Sequence, residues 1–362
     1  MRGGESVLEA LCGLFPQADL YTLLHNPGSV SATIESHQIY TSFIDRLPFK
    51  ASKYRHYLPL FPTAIERFNF KNYQLILSTS HCVAKGIITP PDALHISYLH
   101  TPMRYVWDMY EEYFGADKIG FFQRKLIPLF ANYLRMWDVT SANRVDWYIA
   151  NSRHVARRIQ KYYNRQATVI HPPVDIQDLS VHEGNEGYDL IVSALVPYKK
   201  VDLAISAYNQ LGRRLVVVGS GPEKKRLQRL AGKSIEFFDW QSKEILLKFY
   251  AGCRALIFPG EEDFGIVPLE AMACGKPVIA YGKGGALETV IGHREGTDAP
   301  ATGIFFPEQT PASLIDAIHR SEGVEWDSGF IAAHARQFDK QIFLEKISGF
   351  IQEKWTQHLN PS

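Results

Sequence analysis

The amino-acid sequence predicts an α/β protein with two doubly wound domains in succession. Short, continuously apolar segments rich in Val, Ile and Leu alternate along the chain with segments of helical periodicity. Strands of this kind are typical of parallel sheets that helices cover on both faces. The 362 residues are also enough for two cores of ordinary size. The expected fold is therefore two doubly wound sheets, each with its own core.

The second half of the chain shows the alternation most clearly. Each of its candidate strands is followed by a segment with helical spacing, such as VDLAISAYNQL after the first. The six candidate strands are DLIVSAL (189–195), RLVVVGS (214–220), IEFFDW (235–240), RALIFPG (254–260), KPVIAYG (276–282) and GIFFP (303–307).

The segment EEDFGIVPLEAMACG (261–275) follows the fourth of these strands. Pro268 suits the first position of a helix, and an acid such as Glu270 in the opening turn favours the helix dipole. Gly275 suits a left-handed cap at the end of that helix. The pattern predicts a helix that begins at Pro268, but it does not account for Glu262 or for the residues DFG.

The first half repeats the alternation less regularly. The polar segment after PPVD (172–175) predicts the passage between a first domain, residues 1–175, and a second, residues 176–338. A helix over residues 339–358 is expected to cross back to the first domain. The five candidate strands of the first half are ADLYTLL (18–24), YQLILSTS (73–80), ALHISYLH (93–100), WYIANS (147–152) and ATVIHPP (167–173).

Composition excludes several classes of protein. The net charge is +1, which gives no reason to expect a nucleic-acid partner. Four cysteines lie far apart without a CxxC pair, so neither a disulfide framework nor a zinc site is expected. No apolar run reaches the roughly 18 residues that a spanning helix needs, and no signal peptide is recognisable. The sequence predicts a cytoplasmic protein.

One stretch departs from this neutral balance. Residues 104–165 hold eleven Lys and Arg against six Asp and Glu, and GFFQRKLIPLFANYLRMW (120–137) places bases among aromatic residues. A core helix with a solvated basic face explains this pattern. A surface that docks on an anionic membrane, at its inner face, explains it as well.

Polar residues and glycines directly follow several candidate strands. Lys199 and Lys200 come after the first strand of the second half, and Gly219 ends the next; His100 ends a strand of the first half. Doubly wound sheets bind ligands at the carboxyl ends of their strands, so these are candidate site residues. A solvated lysine pair, a tight turn and a structural histidine are the plainer interpretations.

Taken together, these segments resemble the glycosyltransferases of family 4, which have the GT-B architecture of two Rossmann-like domains facing across a cleft. The most specific part is a pair of glutamates with seven residues between them, Glu262 and Glu270. The motifs are similar to those of mannosyltransferases of O-antigen and exopolysaccharide assembly. The five motifs are YLHTPMRYVWD, VPYKKVDLAI, VVVGSGPEKKRL, EEDFGIVPLEAMACGKPVIA and GKGGALETV.

The resemblance implies a retaining transfer of a hexose from a nucleotide sugar, with GDP-mannose favoured, and no bound metal or cofactor. The acceptor would be a glycan or a polyprenyl-diphosphate-linked sugar. Glu270 would hold the ribose hydroxyls and Glu262 the hydroxyls of the donor sugar. Four backbone amides between them would approach the diphosphate, those of Phe264, Gly265, Ile266 and Val267.

The same resemblance implies roles for the residues at other strand ends. Lys199, with Lys200 beside it, would neutralise the leaving diphosphate, and His100 would sit over the donor sugar near the reacting centre. A glycine pair would line the cleft from the first domain, and a third glycine would lie in the donor site. These glycines are Gly3, Gly4 and Gly219.

Two features depart from the family pattern. The family usually has an arginine at the position of Ala194, so Lys200 or Arg104 would have to supply the second cation. The family also carries a strand ahead of the glycine pair, and here that first strand is apparently missing. Both features favour an alternative, a catalytically weak or inactive GT-B protein that binds a nucleotide sugar. Another GT-B enzyme of nucleotide sugars, such as an epimerase, is a third possibility.

Overall fold

The computed structural model describes residues 3–50, 54–108, 110, 121–177, 179–297 and 299–360, without the side chains of residues 121–126. The chain divides into two compact units. Unit 1 is Met1–Pro173 with Gln341–Ser362, and unit 2 is Val174–Lys340. The sequence boundaries at 175/176 and 338/339 thus lie two residues from those of the structure.

Unit 1 contains two parallel sheets. Its helices cover both faces of the larger sheet, whose order is β3-β4-β5-β6; β1 and β2 form a separate pair. The strands are β1 (Leu20–Thr22), β2 (Ile39–Thr41), β3 (Leu75–Ser80), β4 (Leu94–Leu99), β5 (Trp147–Ala150) and β6 (Ala167–Val169). The helices are α1 (Gly3–Leu14), α2 (Ala32–Glu35), α3 (Phe61–Glu66), α4 (Phe121–Ala142) and α5 (Arg153–Tyr163).

The last helix of the chain completes the core of unit 1. This helix, Lys340–Leu359, buries Phe343, Ile347 and Ile351 in one cluster with β4 and β5. The spacing of four residues places the three side chains on one face of the helix. On the other face of the sheet, α5 and the end of α4 pack against β5. All six residues of β4 are buried, as expected for a strand between two helical layers.

Unit 2 is a single six-stranded parallel sheet with the order β12-β11-β10-β7-β8-β9. Its strands are β7 (Tyr188–Val192), β8 (Leu215–Val218), β9 (Ile235–Phe238), β10 (Cys253–Phe258), β11 (Val278–Tyr281) and β12 (Gly303–Phe306). Its helices are α6 (Val201–Leu211), α7 (Lys224–Leu230), α8 (Lys243–Gly252), α9 (Ile266–Ala273), α10 (Ala286–Thr289), α11 (Pro311–Glu322) and α12 (Ser328–Ala335), which makes the helix Lys340–Leu359 α13. The direction of winding reverses between β7 and β10, so the switch point of this doubly wound sheet lies between their carboxyl ends.

The structure corrects the predicted start of α9. The helix begins at Ile266, because Gly265 adopts φ 93° and serves as its N-cap. Pro268 therefore occupies the third helical position, where the missing N–H costs no hydrogen bond. The predicted cap is confirmed: Gly275 has φ 78°, its N–H donates to Met272 O, and Lys276 N–H donates to Ala271 O.

None of the helices in the described ranges combines the length and the apolarity that crossing a membrane requires.

Candidate functional site

The switch point of unit 2 brings two of the candidate residues together. Lys199 ends the short 3₁₀ turn after β7, and Glu262 lies in the loop after β10. The Lys199 ammonium forms an ion pair with the Glu262 carboxylate, and the two side chains are 18% and 16% exposed. Gly260 permits this approach, because a Cβ there would lie 3.0 Å from Lys199 Cα. A cation and a carboxylate therefore face each other where doubly wound sheets bind their ligands.

The glycines of YGKGGALETV hold the Glu262 loop in place. Gly285 N–H donates to Glu262 O at 2.8 Å. A Cβ at Gly284 would lie 2.3 Å from Glu262 O, and one at Gly285 would lie 2.3 Å from Phe264 Cα. The contact between the two loops therefore requires both glycines, independently of any ligand.

On the other side of the switch point, Gly219 allows close contact between the loops after β7 and β8. Gly219 has φ 148°, and a Cβ built on it would lie 1.9 Å from Ser193 O. No side chain fits at this position. Leu195 N–H donates to Ser220 O at 2.9 Å, so the loop after β8 lies against the loop after β7. Gly219 thus fixes the path of the chain that leads to Lys199.

The N-terminus of α9 supplies backbone amides beside the ion pair. The N–H groups in the first turn of an α-helix have no intrahelical acceptor, and the helix dipole places positive potential there. Phe264 is buried, whereas Gly265, Ile266 and Val267 are partly exposed. This segment can therefore receive an anion in the manner of a phosphate site.

Glu270 lies in α9 within a cluster that sequence reasoning missed. Tyr250 OH donates to Glu270 Oε2 at 2.6 Å. Burial raises the pKa of the Glu270 carboxyl, while the Tyr250 hydrogen bond and the Lys243 charge oppose the rise. Lys243 in turn pairs with Asp175 at 2.8 Å. No pattern in the sequence links these residues, since Tyr250 occupies an ordinary core position of α8.

His100 lies at the carboxyl end of β4 in unit 1. Its N–H donates to Ser80 O at 2.8 Å, and its carbonyl accepts from Asn151 Nδ2 at 3.0 Å. A Cβ at Gly4 would lie 3.5 Å from His100 Nε2, so the glycine lies directly against the imidazole. Gly3 and Gly4 form the first turn of α1, which begins at Gly3.

The candidate residues thus fall into two groups. Gly3, Gly4 and His100 belong to unit 1, and the other nine belong to unit 2. Of the two cations expected to offset Ala194, Lys200 lies in unit 2 next to Lys199, and Arg104 lies in unit 1. Ala194 itself is exposed at the end of β7.

Two family models match adjoining parts of the chain. The model for Glycosyltransferase Family 4 matches residues 1–178, and the model for Glycosyl transferases group 1 matches residues 176–322. The chain belongs to the GT-B glycosyltransferases. The predicted fold class is confirmed, because both units are α/β units with parallel sheets, as expected of Rossmann-like domains.

Curated relatives of this glycosyltransferase match it over part of their length. An uncharacterized glycosyltransferase of Methanocaldococcus jannaschii is 26% identical over 219 residues, which is 59% of each chain. A GDP-mannose-dependent alpha-(1-6)-phosphatidylinositol monomannoside mannosyltransferase of Mycolicibacterium smegmatis is 34% identical over 139 residues. That match covers 33% of this chain and 36% of the relative.

A solved structure shows the same fold over nearly the whole chain. Anabaena HepE in complex with UDP aligns with a TM-score of 0.67 and 18% identity, covering 97% of this chain and 96% of HepE. At this identity the likeness concerns the fold alone.

One further exposed side chain lies at the carboxyl edge of the unit 2 sheet. Trp240 is 73% exposed and lies two residues after the end of β9, although the candidate strand IEFFDW includes it. Its backbone N–H donates to Ser220 Oγ at 3.3 Å, in the loop that contains Gly219. The indole therefore lies exposed at the same edge of the sheet as the Lys199–Glu262 pair.

Proposed function

We propose that this chain is a retaining hexosyltransferase that moves mannose from GDP-mannose to a hydroxyl of a glycan or of a polyprenyl-diphosphate-linked acceptor. The observation that carries the proposal is the Lys199–Glu262 pair at the switch point. Glu262 lies three residues before Gly265, the N-cap of α9. The Mycolicibacterium smegmatis relative is GDP-mannose-dependent, and HepE binds UDP, which supports a nucleotide-sugar donor.

The diphosphate of the donor binds to Lys199 and to the amides of Phe264 to Val267. A lysine at a strand end and a helix N-terminus both favour phosphate oxygens. The diphosphate then takes the place of the Glu262 carboxylate at Lys199. This exchange releases Glu262 to accept hydrogen bonds from the hydroxyls of the donor sugar.

Glu270 accepts hydrogen bonds from the ribose hydroxyls. In the protein alone, burial disfavours the ionised carboxyl and raises its pKa. Two hydroxyl donors favour the ionised form, so nucleotide binding lowers the pKa of Glu270 again. The hydrogen bond from Tyr250 holds the carboxyl in one orientation for this contact. The exposed Trp240 offers its ring to the nucleobase.

Transfer breaks the bond between the anomeric carbon and the β-phosphate oxygen. The acceptor oxygen attacks from the same face, which retains the configuration, and its proton passes to an oxygen of the leaving diphosphate. Lys199 and the α9 amides stabilise the negative charge that develops on that diphosphate. Catalysis otherwise consists of positioning, to which we propose that His100 contributes at the donor sugar. No step is assigned to a bound metal ion or cofactor.

A second candidate function is nucleotide-sugar binding without transfer. The exposed Ala194, where the family usually has an arginine, favours it. One charge-assisted contact contributes about 1.5–3 kcal/mol, so its loss lowers turnover by one to two orders of magnitude. The two functions differ in whether sugar leaves the donor.

The test combines a transfer assay with calorimetry on the same preparation. Labelled GDP-mannose and UDP-sugars are incubated with the protein and a membrane extract, and label in the lipid and glycan fractions is counted. We expect transfer from GDP-mannose. Intact protein that binds GDP and releases no label supports the second function and overturns the first.

Two variants separate the roles of the glutamates. We expect Glu270→Gln to raise the Kd for GDP roughly tenfold, because a ribose contact to a charged acceptor is lost. Glu262→Gln should lower turnover more than it changes GDP affinity. Glu236→Gln is the matched control, since that glutamate lies in β9 and pairs with Arg214. Equal GDP affinity in Glu270→Gln and the control would contradict the ribose assignment.

A further inference from the structure

Helix α4 of unit 1 presents an apolar surface to the solvent. From residue 127 onward, where its side chains are described, the exposed residues carry no charge. They are Pro128, Leu129, Phe130, Asn132, Tyr133, Met136, Val139 and Thr140. Leu129 is 68% exposed and Met136 57%. A surface helix of a soluble protein ordinarily turns its charges outward, so this surface reverses the usual pattern.

The charged residues of the same part of α4 are turned inward. Asp138 is fully buried and pairs with Lys85 at 3.0 Å. The Arg135 guanidinium lies 5.1 Å from the centre of the Tyr110 ring, and its Nε donates to Val106 O. This part of α4 therefore does contain charged residues. Its outer side is apolar because those charged residues lie on the inner side.

Helix α5 lies beside α4 and adds positive charge. It contains Arg153, His154, Arg157, Arg158 and Lys161 and no acidic residue. Arg157 and Lys161 are exposed and lie one turn apart on the side opposite the buried Val155 and Ile159. Tyr163 of α5 donates to Asp138 of α4 at 2.8 Å, which joins the two helices on one face of the sheet.

We propose that the exposed residues of α4, flanked by Arg157 and Lys161 of α5, form a docking surface for an anionic lipid bilayer. This proposal rests on the proposed function, in which a lipid-linked acceptor lies in such a bilayer. Leu129, Phe130 and Met136 enter the boundary between headgroups and acyl chains, and Tyr133 lies at the headgroups, where its hydroxyl stays hydrated. The two bases contact lipid phosphates.

Charge favours a bilayer over a second copy of the chain. In a two-fold dimer through this surface, the bases of α5 would flank the same interface from both copies. An anionic bilayer compensates those charges and buries the apolar residues between them. The interaction should therefore weaken with salt, whereas a purely apolar contact between copies would not.

The test measures sedimentation of the full chain with vesicles of phosphatidylcholine and with vesicles that also contain phosphatidylglycerol. We expect binding to the anionic vesicles that decreases as salt rises. The double variant Leu129→Ser, Met136→Ser should lower vesicle affinity at least about tenfold, given the apolar area withdrawn from the bilayer. The double variant Arg157→Glu, Lys161→Glu should abolish the preference for anionic vesicles.

Matched controls lie in unit 2. Leu230 is 46% exposed, and Lys225 is an exposed base on the same helix, α7. Leu230→Ser and Lys225→Glu should leave vesicle binding unchanged, and circular dichroism verifies that every variant is folded. Wild-type chain that stays in solution overturns the proposal. So does a Leu129→Ser, Met136→Ser variant that binds like wild type, or one that only converts a dimer to a monomer.

Vesicle binding needs neither donor nor transfer. Transfer to an acceptor in detergent without vesicle binding would overturn the docking surface and leave the proposed function intact. Vesicle binding without transfer would support the docking surface and contradict the proposed function.

Discussion

The two sheets use charged residues near their carboxyl ends in opposite ways. In unit 2, Lys199 and Glu262 form a pair that remains partly exposed, and glycines in three loops keep the surrounding backbone close together. In unit 1, Lys85 follows β3 and pairs with Asp138, but both side chains are completely buried. The first pair is accessible to a ligand, and the second is part of the core.

The buried pair is also enclosed by further bonds from the protein. Lys85 Nζ donates to Asp138 O at 2.6 Å and to Ser141 Oγ at 2.8 Å. The Asp138 carboxylate also accepts from Trp107 Nε1 and Tyr163 OH, each at 2.8 Å. An ion pair surrounded in this way stabilises one arrangement of the fold and has no capacity for a substrate. A lysine near a strand end therefore indicates a ligand site only where its surroundings stay open.

The largest expected effect is on the buried pair. Lys85→Met leaves the Asp138 charge uncompensated in the core and should lower the free energy of unfolding by about 3–5 kcal/mol. Lys199→Met is the counterpart in unit 2: it should weaken GDP binding while changing stability little. Urea unfolding followed by tryptophan fluorescence and GDP calorimetry measure the two effects. Equal losses of stability in the two variants would remove the distinction between the pairs.

The second effect concerns His95, another buried polar residue of unit 1. Its imidazole lies between Ser78 Oγ, 2.9 Å from Nε2, and Arg144 O, 3.3 Å from Nδ1. Burial lowers its pKa from 6.5 to about 4. As the pH falls, His95 is therefore protonated near pH 6.5 in the unfolded chain but only near pH 4 in the folded chain. The free energy of unfolding should fall by up to about 3 kcal/mol across that range.

Urea unfolding at several pH values between 7 and 4 measures this loss, because the midpoint and slope give the free energy of unfolding by linear extrapolation. The variant His95→Gln keeps a polar side chain and does not titrate, so its midpoint should depend less on pH than that of wild type. His154 on α5 is only half-buried, and His154→Gln serves as the control. A pH dependence that is the same in all three proteins would show that other groups cause it.

Most of the fold could be predicted from the sequence because many of its strands, such as β4, β8 and β11, are buried on both faces. The eleven predicted strands are all present. The strand β2 was missed, since Tyr40 and Thr41 are exposed and the three residues Ile39–Thr41 are too few to show a pattern. The start of α9 was misplaced because the φ of Gly265 depends on the packing of its loop and leaves no mark on the sequence.

The candidate site was predictable only in part. Position after a strand indicated Lys199, Gly219 and His100, and the resemblance indicated Glu262 and Glu270. What the sequence did not contain is which glycines serve contacts between loops and which charges are buried. Lys85 and Asp138 are 53 residues apart, and only the fold brings them together.

The smallest expected effect concerns two residues with positive φ, one in each unit. Lys200 and Asn164 both adopt left-handed conformations, with φ 53° and 52°. This region costs a residue with an ordinary side chain about 1 kcal/mol, whereas asparagine tolerates it. Lys200→Gly should therefore raise the free energy of unfolding by up to about 1 kcal/mol, and Asn164→Gly should change it less.

The left-handed conformation of Lys200 costs stability, whereas its charge lies beside Lys199 in the proposed donor site. The same two variants test the role of that charge by GDP calorimetry. We expect Lys200→Gly to weaken GDP binding severalfold while it stabilises the protein, because the site already lacks the cation expected at Ala194. Asn164→Gly should leave GDP affinity unchanged. A Lys200→Gly variant that gains stability and binds GDP like wild type would show that Lys199 and the α9 amides neutralise the diphosphate without it.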